Sequence, residues 1–294
     1  MSTSRVFGVL ILVWLLMSVV LPARAQQADQ QPEILQLPLT VDGAETKVET
    51  HVYVPHSTTD KSFPVVVFAH GNGVPASSQI NPMPIEAANW WVRHGFAVVA
   101  PVRPGYGRNG GTFREVQNVI WQGNACVTDP TYDIAVARAR EVLLAALTWT
   151  RSQSWAKADR IVLVGHSTGG FATIATVATD PPGVIAAINF AGGMGGNAAG
   201  SPGQSCRPDR ITSLYRQFGV ATHIPTLWIY TENDLFWGTK EPHDWFEAFK
   251  AGGSDVSMVE TPPVPDRPNG HSMIFTNPEM WHASVEVFLQ KVRP

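Results

Sequence analysis

The chain has 294 residues, of which 44% are hydrophobic and 15% are charged, and its formal net charge at pH 7 is −3. A chain of this length can bury a full core, in one large domain or in two small ones. The charge balance provides no basic surface for nucleic acid, so we expect no nucleic-acid partner. The sequence has no obvious internal repeat and no long run of like charges.

Residues 1–25 have the features of an export signal. Arg5 precedes a nearly unbroken apolar stretch over 6–21, and the Ala-Arg-Ala of 23–25 presents small residues at the usual cleavage spacing. The alternative is an uncleaved membrane anchor, but the apolar stretch is short for a membrane span. We therefore expect a cleaved signal, no membrane anchor after cleavage, and a periplasmic or secreted protein. Residues 26–45 are predicted to be a polar leader that ends in the first edge strand.

Strand and helix signals alternate along the rest of the chain. Asp42-Gly43 is a turn signal between two β-rich segments and predicts an opening hairpin. Apolar, β-branched strands that alternate with helices favour a mainly parallel sheet covered on both faces. No linker is evident, so we expect one domain over 46–294. In chain order, the predicted strands are 33–41, 46–54, 63–69, 96–102, 160–164, 184–190, 226–230 and 256–261, and the predicted helices are 84–94, 132–155, 171–177, 244–250 and 277–292.

The strongest signal for chemistry is the segment 165–170, Gly-His-Ser-Thr-Gly-Gly, which directly follows the apolar stretch 160–164. A buried strand that ends in Gly-x-Ser-x-Gly and passes into a helix is the pattern of a nucleophile elbow. Ser167 would sit on a sharp, strained turn, and the flanking glycines leave room for the backbone to close tightly. The alternative is a glycine-rich turn that holds a serine by chance.

A serine nucleophile needs an acid behind its base, and in this type of fold the partners follow in the order Ser, Asp or Glu, His. Asp234 lies in the turn after the predicted strand 226–230 and is the predicted acid. Glu232 and Asp244 are the alternatives. A solvated loop carboxylate is the structural alternative for Asp234.

The predicted general base is His271, in the Pro/Gly-rich loop between the last predicted strand and the last predicted helix. His282 lies inside that helix and His243 just before another, so both are better explained as surface or packing residues. His166 lies on the strand-to-helix turn itself, and we expect it to pack or to form a local hydrogen bond.

An oxyanion hole needs two backbone N–H donors. The first is predicted to be Thr168, the residue after the nucleophile. The second is predicted in the segment His-Gly-Asn-Gly of 70–73, because its glycines let the backbone approach a substrate closely. Within it Asn72 is our choice, and Gly71 is the alternative.

These residues together resemble an α/β-hydrolase, in particular the dienelactone-hydrolase-like and small secreted esterase branches. The resemblance covers the chain from about Thr46 onward. It implies an α/β-hydrolase fold without a large lid domain, and a serine esterase with a small-molecule ester substrate and no cofactor. Dienelactone hydrolases proper carry a cysteine where this chain has Ser167, so dienelactone is not expected as substrate. The motifs that carry the resemblance are His70–Gly73, Arg103–Arg108, Gly165–Gly170, Asp234 and His271.

Two cysteines occur, Cys126 and Cys206. In an exported protein they suggest one disulfide, and two unrelated buried thiols are the alternative. No Cys-x-x-Cys or His-rich spacing is present, so we expect no metal site. Because Cys206 lies in the stretch 192–224 between two predicted strands, the disulfide would join two loops near the active site.

Aromatic residues near the predicted site are candidates for an apolar substrate pocket. Trp237 follows the predicted acid, and Trp121 lies in the loop before Cys126. Ordinary core packing is the alternative for each. Arg103 and Arg108 are candidates for an anion clamp, but arginines in such a loop more often fix its shape by hydrogen bonds.

The residues favour a serine hydrolase of carboxylic esters that forms an acyl-enzyme intermediate. One alternative is a small serine peptidase or amidase. Another is a catalytically silent hydrolase fold used for binding, although a binding module has no need of a complete set of serine, acid, base and oxyanion donors. The residues carry no signal for an oligomeric state.

Overall fold

A computed structural model of the protein describes residues 29–41, 43–57, 59–72, 82–107 and 112–292. The predicted export signal lies outside these residues, as do Asp42 of the predicted turn, Gly73 and Arg108. Within the described ranges, no helix is long and apolar enough to cross a membrane.

The strands of the described chain fall at or near the predicted positions. The structure confirms the opening hairpin and the strands predicted over 63–69, 184–190 and 256–261. The main difference is two short pairs that the sequence pattern did not indicate. The strands are β1 (Glu33–Val41), β2 (Ala44–Tyr53), β3 (Phe63–Ala69), β4 (Ala97–Pro101), β5 (Trp121–Gln122), β6 (Ala125–Cys126), β7 (Ala156–His166), β8 (Val184–Phe190), β9 (Gly196–Asn197), β10 (Ser201–Ser205), β11 (Thr226–Thr231) and β12 (Val256–Thr261).

The helices differ from prediction at several places. The helix predicted over 132–155 ends at Arg151, and the helix predicted over 244–250 begins at Lys240. Residues 208–221 form a helix that begins at Pro208, a residue that suits the first helical turn. The predicted closing helix 277–292 is divided into a 3₁₀ turn, Pro278–Met280, and a helix that begins at His282. The Trp281 indole N–H between them donates to the Ile274 carbonyl (3.1 Å). The helices are α1 (Ile85–Arg93), α2 (Tyr132–Arg151), α3 (Thr168–Val177), α4 (Pro208–Ala221), α5 (Lys240–Lys250), α6 (Met273–Thr276) and α7 (His282–Val292).

Eight strands form the central sheet in the order β1-β2-β4-β3-β7-β8-β11-β12. The strand β2 runs antiparallel to β1 and β4, and all pairs from β4 to β12 are parallel. The carboxyl ends of β3, β7, β8 and β11 therefore share one edge of the sheet. In open sheets of this kind ligands bind at that edge, where the strand order reverses.

Helices cover both faces of the sheet, because alternate residues of each buried strand point to opposite sides. In β3, Val65 and Val67 belong to a core cluster that includes side chains of α2, α3, α4 and α5. Val66 and Phe68 belong to a second cluster with side chains of α1, α6 and α7. This arrangement confirms the predicted fold class.

The connection between β8 and β11 consists of the pair β9–β10 and helix α4. It occupies residues 191–225, all of which the structure describes. The predicted disulfide is present: Cys126, on the hairpin β5–β6, is joined to Cys206, which precedes α4, with their Cα atoms 5.1 Å apart. The disulfide thus ties the hairpin to the β8–β11 connection.

We predict that the Cys126→Ser/Cys206→Ser double variant loses about 4 kcal/mol of unfolding free energy, because the crosslink spans 80 residues and restricts the unfolded chain. Urea unfolding with and without reductant measures the loss. Reductant should lower the urea midpoint of the wild type, whereas it should leave the midpoint of the double variant unchanged. Equal stability of the two oxidised proteins would contradict the prediction.

Candidate active site

Ser167 lies on the turn between β7 and α3 in a backbone conformation that non-glycine residues rarely adopt, with φ 55° and ψ −126°. Its N–H donates to the Phe190 carbonyl of the neighbouring strand (2.9 Å), and its carbonyl accepts from Phe171 N (3.1 Å). Such a conformation costs about 1–3 kcal/mol and persists where the surroundings impose it. The turn thus has the strained geometry that the sequence predicts.

Glycines on either side of Ser167 allow three backbone segments to meet. A side chain at Gly165 would collide with the Gly169 carbonyl, and one at Gly169 would collide with the Ala69 carbonyl at the end of β3. Gly71 is close to the turn as well, because a Cβ atom there would lie 3.1 Å from the Ser167 Cβ. The loop after β3 is therefore held against the serine.

Asp234 and His271 are brought together at the same edge of the sheet. The His271 Nδ1–H donates to Asp234 Oδ2 (2.8 Å), and the other carboxylate oxygen accepts from Phe236 N (2.8 Å). Asp234 is only 1% exposed. A proton fixed on Nδ1 leaves Nε2 as the proton acceptor, as a general base requires.

The alternative acids and bases have other surroundings. Glu232 is exposed, and Asp244 pairs with Lys240 on the surface of α5 (2.5 Å). His243 pairs with Glu260 (3.3 Å), and the His282 ring stacks on Trp90 (centroids 4.6 Å apart).

Two asparagines that the sequence analysis missed join the loop of the acid to the loop of the base. Asn269 Oδ1 accepts from Leu235 N and from His271 N (both 3.1 Å). Asn233 accepts from Val264 N through Oδ1 (2.9 Å), and its carbonyl accepts from Gly270 N (3.0 Å). Short amide side chains often hydrogen-bond nearby backbone in turns, and this was the available sequence signal.

His166 connects the serine turn to the loop of the base. Its ring packs against His271 and Phe275, which is one of the two expectations for this residue. Its hydrogen bond is not local, because Nε2–H donates to the His271 carbonyl (2.8 Å) across 105 residues of sequence. Burial, and then the neighbouring His271, lower the pKa of His166 to about 3. The ring is therefore neutral at neutral pH and acts as a fixed donor. No hydrogen bond joins the Ser167 hydroxyl to His271 in the described structure.

The loop after β3 carries Asn72, which lines one cavity together with Ser167 and Thr168. Thr168 is the first residue of α3, where a backbone N–H has no acceptor within the helix. The Asn72 side chain bonds to the Tyr106 hydroxyl. The two residues predicted to supply the oxyanion donors thus line the same cavity as Ser167.

A buried ion pair supports this loop. The fully buried Arg103 donates from Nε to Glu115 Oε1 (2.6 Å) and from a terminal nitrogen to the His70 carbonyl (2.6 Å). The Arg103 backbone N–H donates to His70 Nε2 (3.0 Å), and His70 Nδ1–H donates to the Gly71 carbonyl (2.7 Å). Arg103 therefore fixes the shape of the loop, the reading that the sequence favoured over an anion clamp.

The cavity at Ser167 has a volume of about 430 Å³. Trp237 and Phe236 line it, and their rings lie 5.6 and 4.3 Å from the His271 ring between centroids. Trp121, the other predicted pocket residue, is not among the residues that line it; it lies in the β5–β6 hairpin opposite Cys126. The remaining lining residues are Phe113, Glu115, Val116, Gln117, Asn118, Val119, Ile120, Met194, Gly195 and Gly196.

A larger cavity of about 720 Å³ lies elsewhere, between residues 29–33, β2 and α1. None of the predicted site residues lines it. Size alone therefore does not mark the candidate site, which is identified by the side chains that meet there.

Comparison with known proteins places the chain in a family. The chain matches a family model described as "Alpha/beta hydrolase family" over residues 66–289. That range holds all the predicted catalytic and oxyanion residues. A search of curated proteins found no match.

Solved structures with a similar fold include enzymes of different activities. An esterase from Pyrococcus furiosus aligns with a TM-score of 0.60 at 15% identity, covering 89% of this chain and 91% of the esterase. A dienelactone hydrolase from Anabaena variabilis aligns with a TM-score of 0.54 at 18% identity, covering 88% of this chain and 95% of the hydrolase. Dipeptidyl peptidase 4 from Porphyromonas gingivalis aligns with a TM-score of 0.62 at 15% identity, covering 89% of this chain but only 35% of the peptidase. At these identities the likeness shows the fold alone.

We predict that the free energy of unfolding falls as the pH is lowered from about 6.5 toward 3. The unfolded chain binds a proton at an ordinary histidine pKa, whereas folded His166 resists protonation until about pH 3. Burial also lowers the pKa of His70 well below its usual range. Each imidazole contributes up to about 1.4 kcal/mol per pH unit. Urea unfolding at several pH values across this window measures the slope of the unfolding free energy against pH. The slope should be shallower for His166→Gln than for the wild type, and the exposed-site control His223→Gln should keep the wild-type slope. An unchanged slope for His166→Gln would contradict the prediction.

We predict that Arg103→Met destabilises the protein by about 3–5 kcal/mol, because the Glu115 carboxylate is left buried without its partner. The double variant Arg103→Met/Glu115→Gln removes that charge and should recover part of the loss. Urea unfolding of the two single variants and the double variant measures the coupling. Strictly additive losses would show that the pair does not act as a unit.

Proposed function

Since this chain belongs to the α/β-hydrolase family, we propose that it is a serine hydrolase that cleaves carboxylic esters. The observation that carries the proposal is the conformation of Ser167, a non-glycine residue held at φ 55° between β7 and α3. Strain of this kind is maintained where a turn must present a side chain to a reacting molecule. The hydrogen-bonded Asp234–His271 pair, anchored to the same turn by His166, supplies the matching base.

In the proposed reaction, the Ser167 hydroxyl attacks the ester carbonyl and His271 Nε2 takes its proton. Asp234 holds the imidazole orientation and stabilises the imidazolium ion. The Oγ–carbon bond forms, and the alcohol leaves after it receives the proton from His271. Water then attacks the acyl-enzyme by the same route and releases the acid. The hydrogen bond between Ser167 and His271 forms in the substrate complex, since such contacts tighten when substrate binds.

The backbone N–H groups of Thr168 and Asn72 are proposed to donate hydrogen bonds to the negatively charged oxygen of the tetrahedral intermediate. The close approach of Gly71 to Ser167 supports this role for the loop after β3. Loss of one such donor typically raises the barrier by about 3–4 kcal/mol. The buried Arg103–Glu115 pair would contribute indirectly, because it keeps this loop in place.

The cavity lining favours an uncharged substrate. Glu115 is its one charged residue in the described chain, and that carboxylate is already paired with Arg103. Apolar side chains such as Phe236, Trp237 and Met194 suit the acyl or alcohol part of an ester. A peptide substrate with a charged terminus finds no free counter-charge there.

We also propose that the protein is exported to an oxidising compartment, periplasmic or extracellular. The Cys126–Cys206 disulfide supports this, because disulfides persist where thiols are not kept reduced. The signal-like residues 1–25 point to the same destination.

We predict that Ser167→Ala abolishes hydrolysis of p-nitrophenyl esters, because no other group can form the acyl-enzyme. Asp234→Asn should lower kcat by about 10⁴-fold, since the imidazole loses its orienting acceptor. Steady-state assays with short-chain and long-chain esters measure both effects. Ser213→Ala, on the exposed face of α4, is the matched control and should retain full activity.

Two results would replace this proposal with its alternatives. Turnover of an aminoacyl anilide without turnover of any ester would identify a peptidase or amidase. No turnover of either substrate, together with no labelling of Ser167 by a fluorophosphonate probe, would identify a silent hydrolase fold that binds without reacting.

A further inference from the structure

Exposed hydrophobic side chains concentrate beside the cavity that contains Ser167. Of the seven large hydrophobic side chains that the described residues expose, three lie within residues 116–127. They are Val116 (55% exposed), Ile120 (51%) and Val127 (47%), which we call the apolar rim. The other four lie separately, on β1, α2, α4 and α7: Ile34, Ile134, Val220 and Val287.

Hydrogen bonds hold the apolar rim in a defined shape. The Val127 N–H donates to the Ile120 carbonyl (3.0 Å), and the Ile120 N–H donates to the Thr128 hydroxyl (3.0 Å). The Thr131 hydroxyl donates to the Val116 carbonyl (3.0 Å). The disulfide at Cys126 adds a covalent tie to the β8–β11 connection. These exposed side chains therefore belong to a constrained segment.

The apolar rim is continuous with the candidate active site. Val116 and Ile120 are half exposed to solvent and also line the cavity that contains Ser167. Residues 116–128 include no Asp, Glu, Lys or Arg. A charged surface, such as an anionic membrane or an acidic protein, would find no complementary charge on this segment. The chemistry that fits it is apolar and neutral.

We propose that the apolar rim binds the surface of a water-insoluble, uncharged ester, such as a droplet of aggregated ester, and places single ester molecules at the cavity mouth. This inference rests on the proposed esterase function and specifies its substrate class. Burial of half-exposed aliphatic side chains against such a surface is favourable, because it removes apolar area from water. A second copy of this chain on the rim would instead cover the cavity mouth.

The first test measures adsorption without turnover. The Ser167→Ala protein is mixed with a tributyrin emulsion, and the fraction bound to droplets is determined after flotation. Adding Val116→Thr, Ile120→Thr and Val127→Thr should weaken adsorption by about tenfold or more, because each threonine puts a hydroxyl where an aliphatic group would otherwise be buried against the droplet. Adding Val220→Thr and Val287→Thr is the matched control, and its adsorption should equal that of Ser167→Ala alone. Equal adsorption of the rim and control proteins would overturn the proposal.

The second test uses the wild-type protein, so it does not depend on whether a variant folds. The rate of tributyrin hydrolysis is followed as its concentration crosses the solubility limit. We expect a rise above that limit, and a saturation curve without one would overturn the proposal. So would a concentration-dependent dimer in analytical ultracentrifugation that the rim substitutions abolish. Failure of the esterase proposal is distinguishable, because it would show as no Ser167-dependent hydrolysis of dissolved esters, whereas adsorption is measured on the Ser167→Ala protein.

Discussion

The approach of helix α3 to the ends of β3 and β7 is the constraint on which the candidate site depends. At Gly165 and Gly169 the backbones lie too close for any side chain. This packing forces the turn between them into a conformation with positive φ at Ser167 and directs the start of α3 toward the cavity. The strained turn is stable because the surrounding strands are buried on both faces and cannot relax.

Buried polar groups carry this constraint to the surrounding loops. His166 hydrogen-bonds the backbone of His271, and Arg103 with Glu115 holds the loop that contains Asn72. In a medium of low dielectric constant, an unpaired polar group is costly, so each satisfied network favours a single loop arrangement. The candidate site is thereby preorganised by groups that do not take part in the proposed reaction.

The outer boundary of the site is stabilised in a different way. The hairpin β5–β6 is too short to bury a core of its own. A backbone hydrogen bond from Val127 to Ile120 closes its ends, and the disulfide fixes it to the neighbouring connection. Because that segment does not depend on burial for its shape, it can expose hydrophobic side chains at the cavity mouth. The buried interior and the exposed rim therefore serve one cavity.

The sequence alone determined the features that depend on local pattern: the chain order of the strands in the central sheet, their mainly parallel arrangement, the turn at Ser167 and the disulfide partners. It also indicated Asp234 and His271 as partners, which the structure brings into hydrogen-bonding contact. It did not indicate the helix 208–221 or the two short strand pairs. Only the tertiary structure decided the contacts between distant segments, such as His166 with His271 and Arg103 with Glu115. Periodicity and turn signals report the conformation of neighbouring residues, whereas such contacts depend on how strands stack in space.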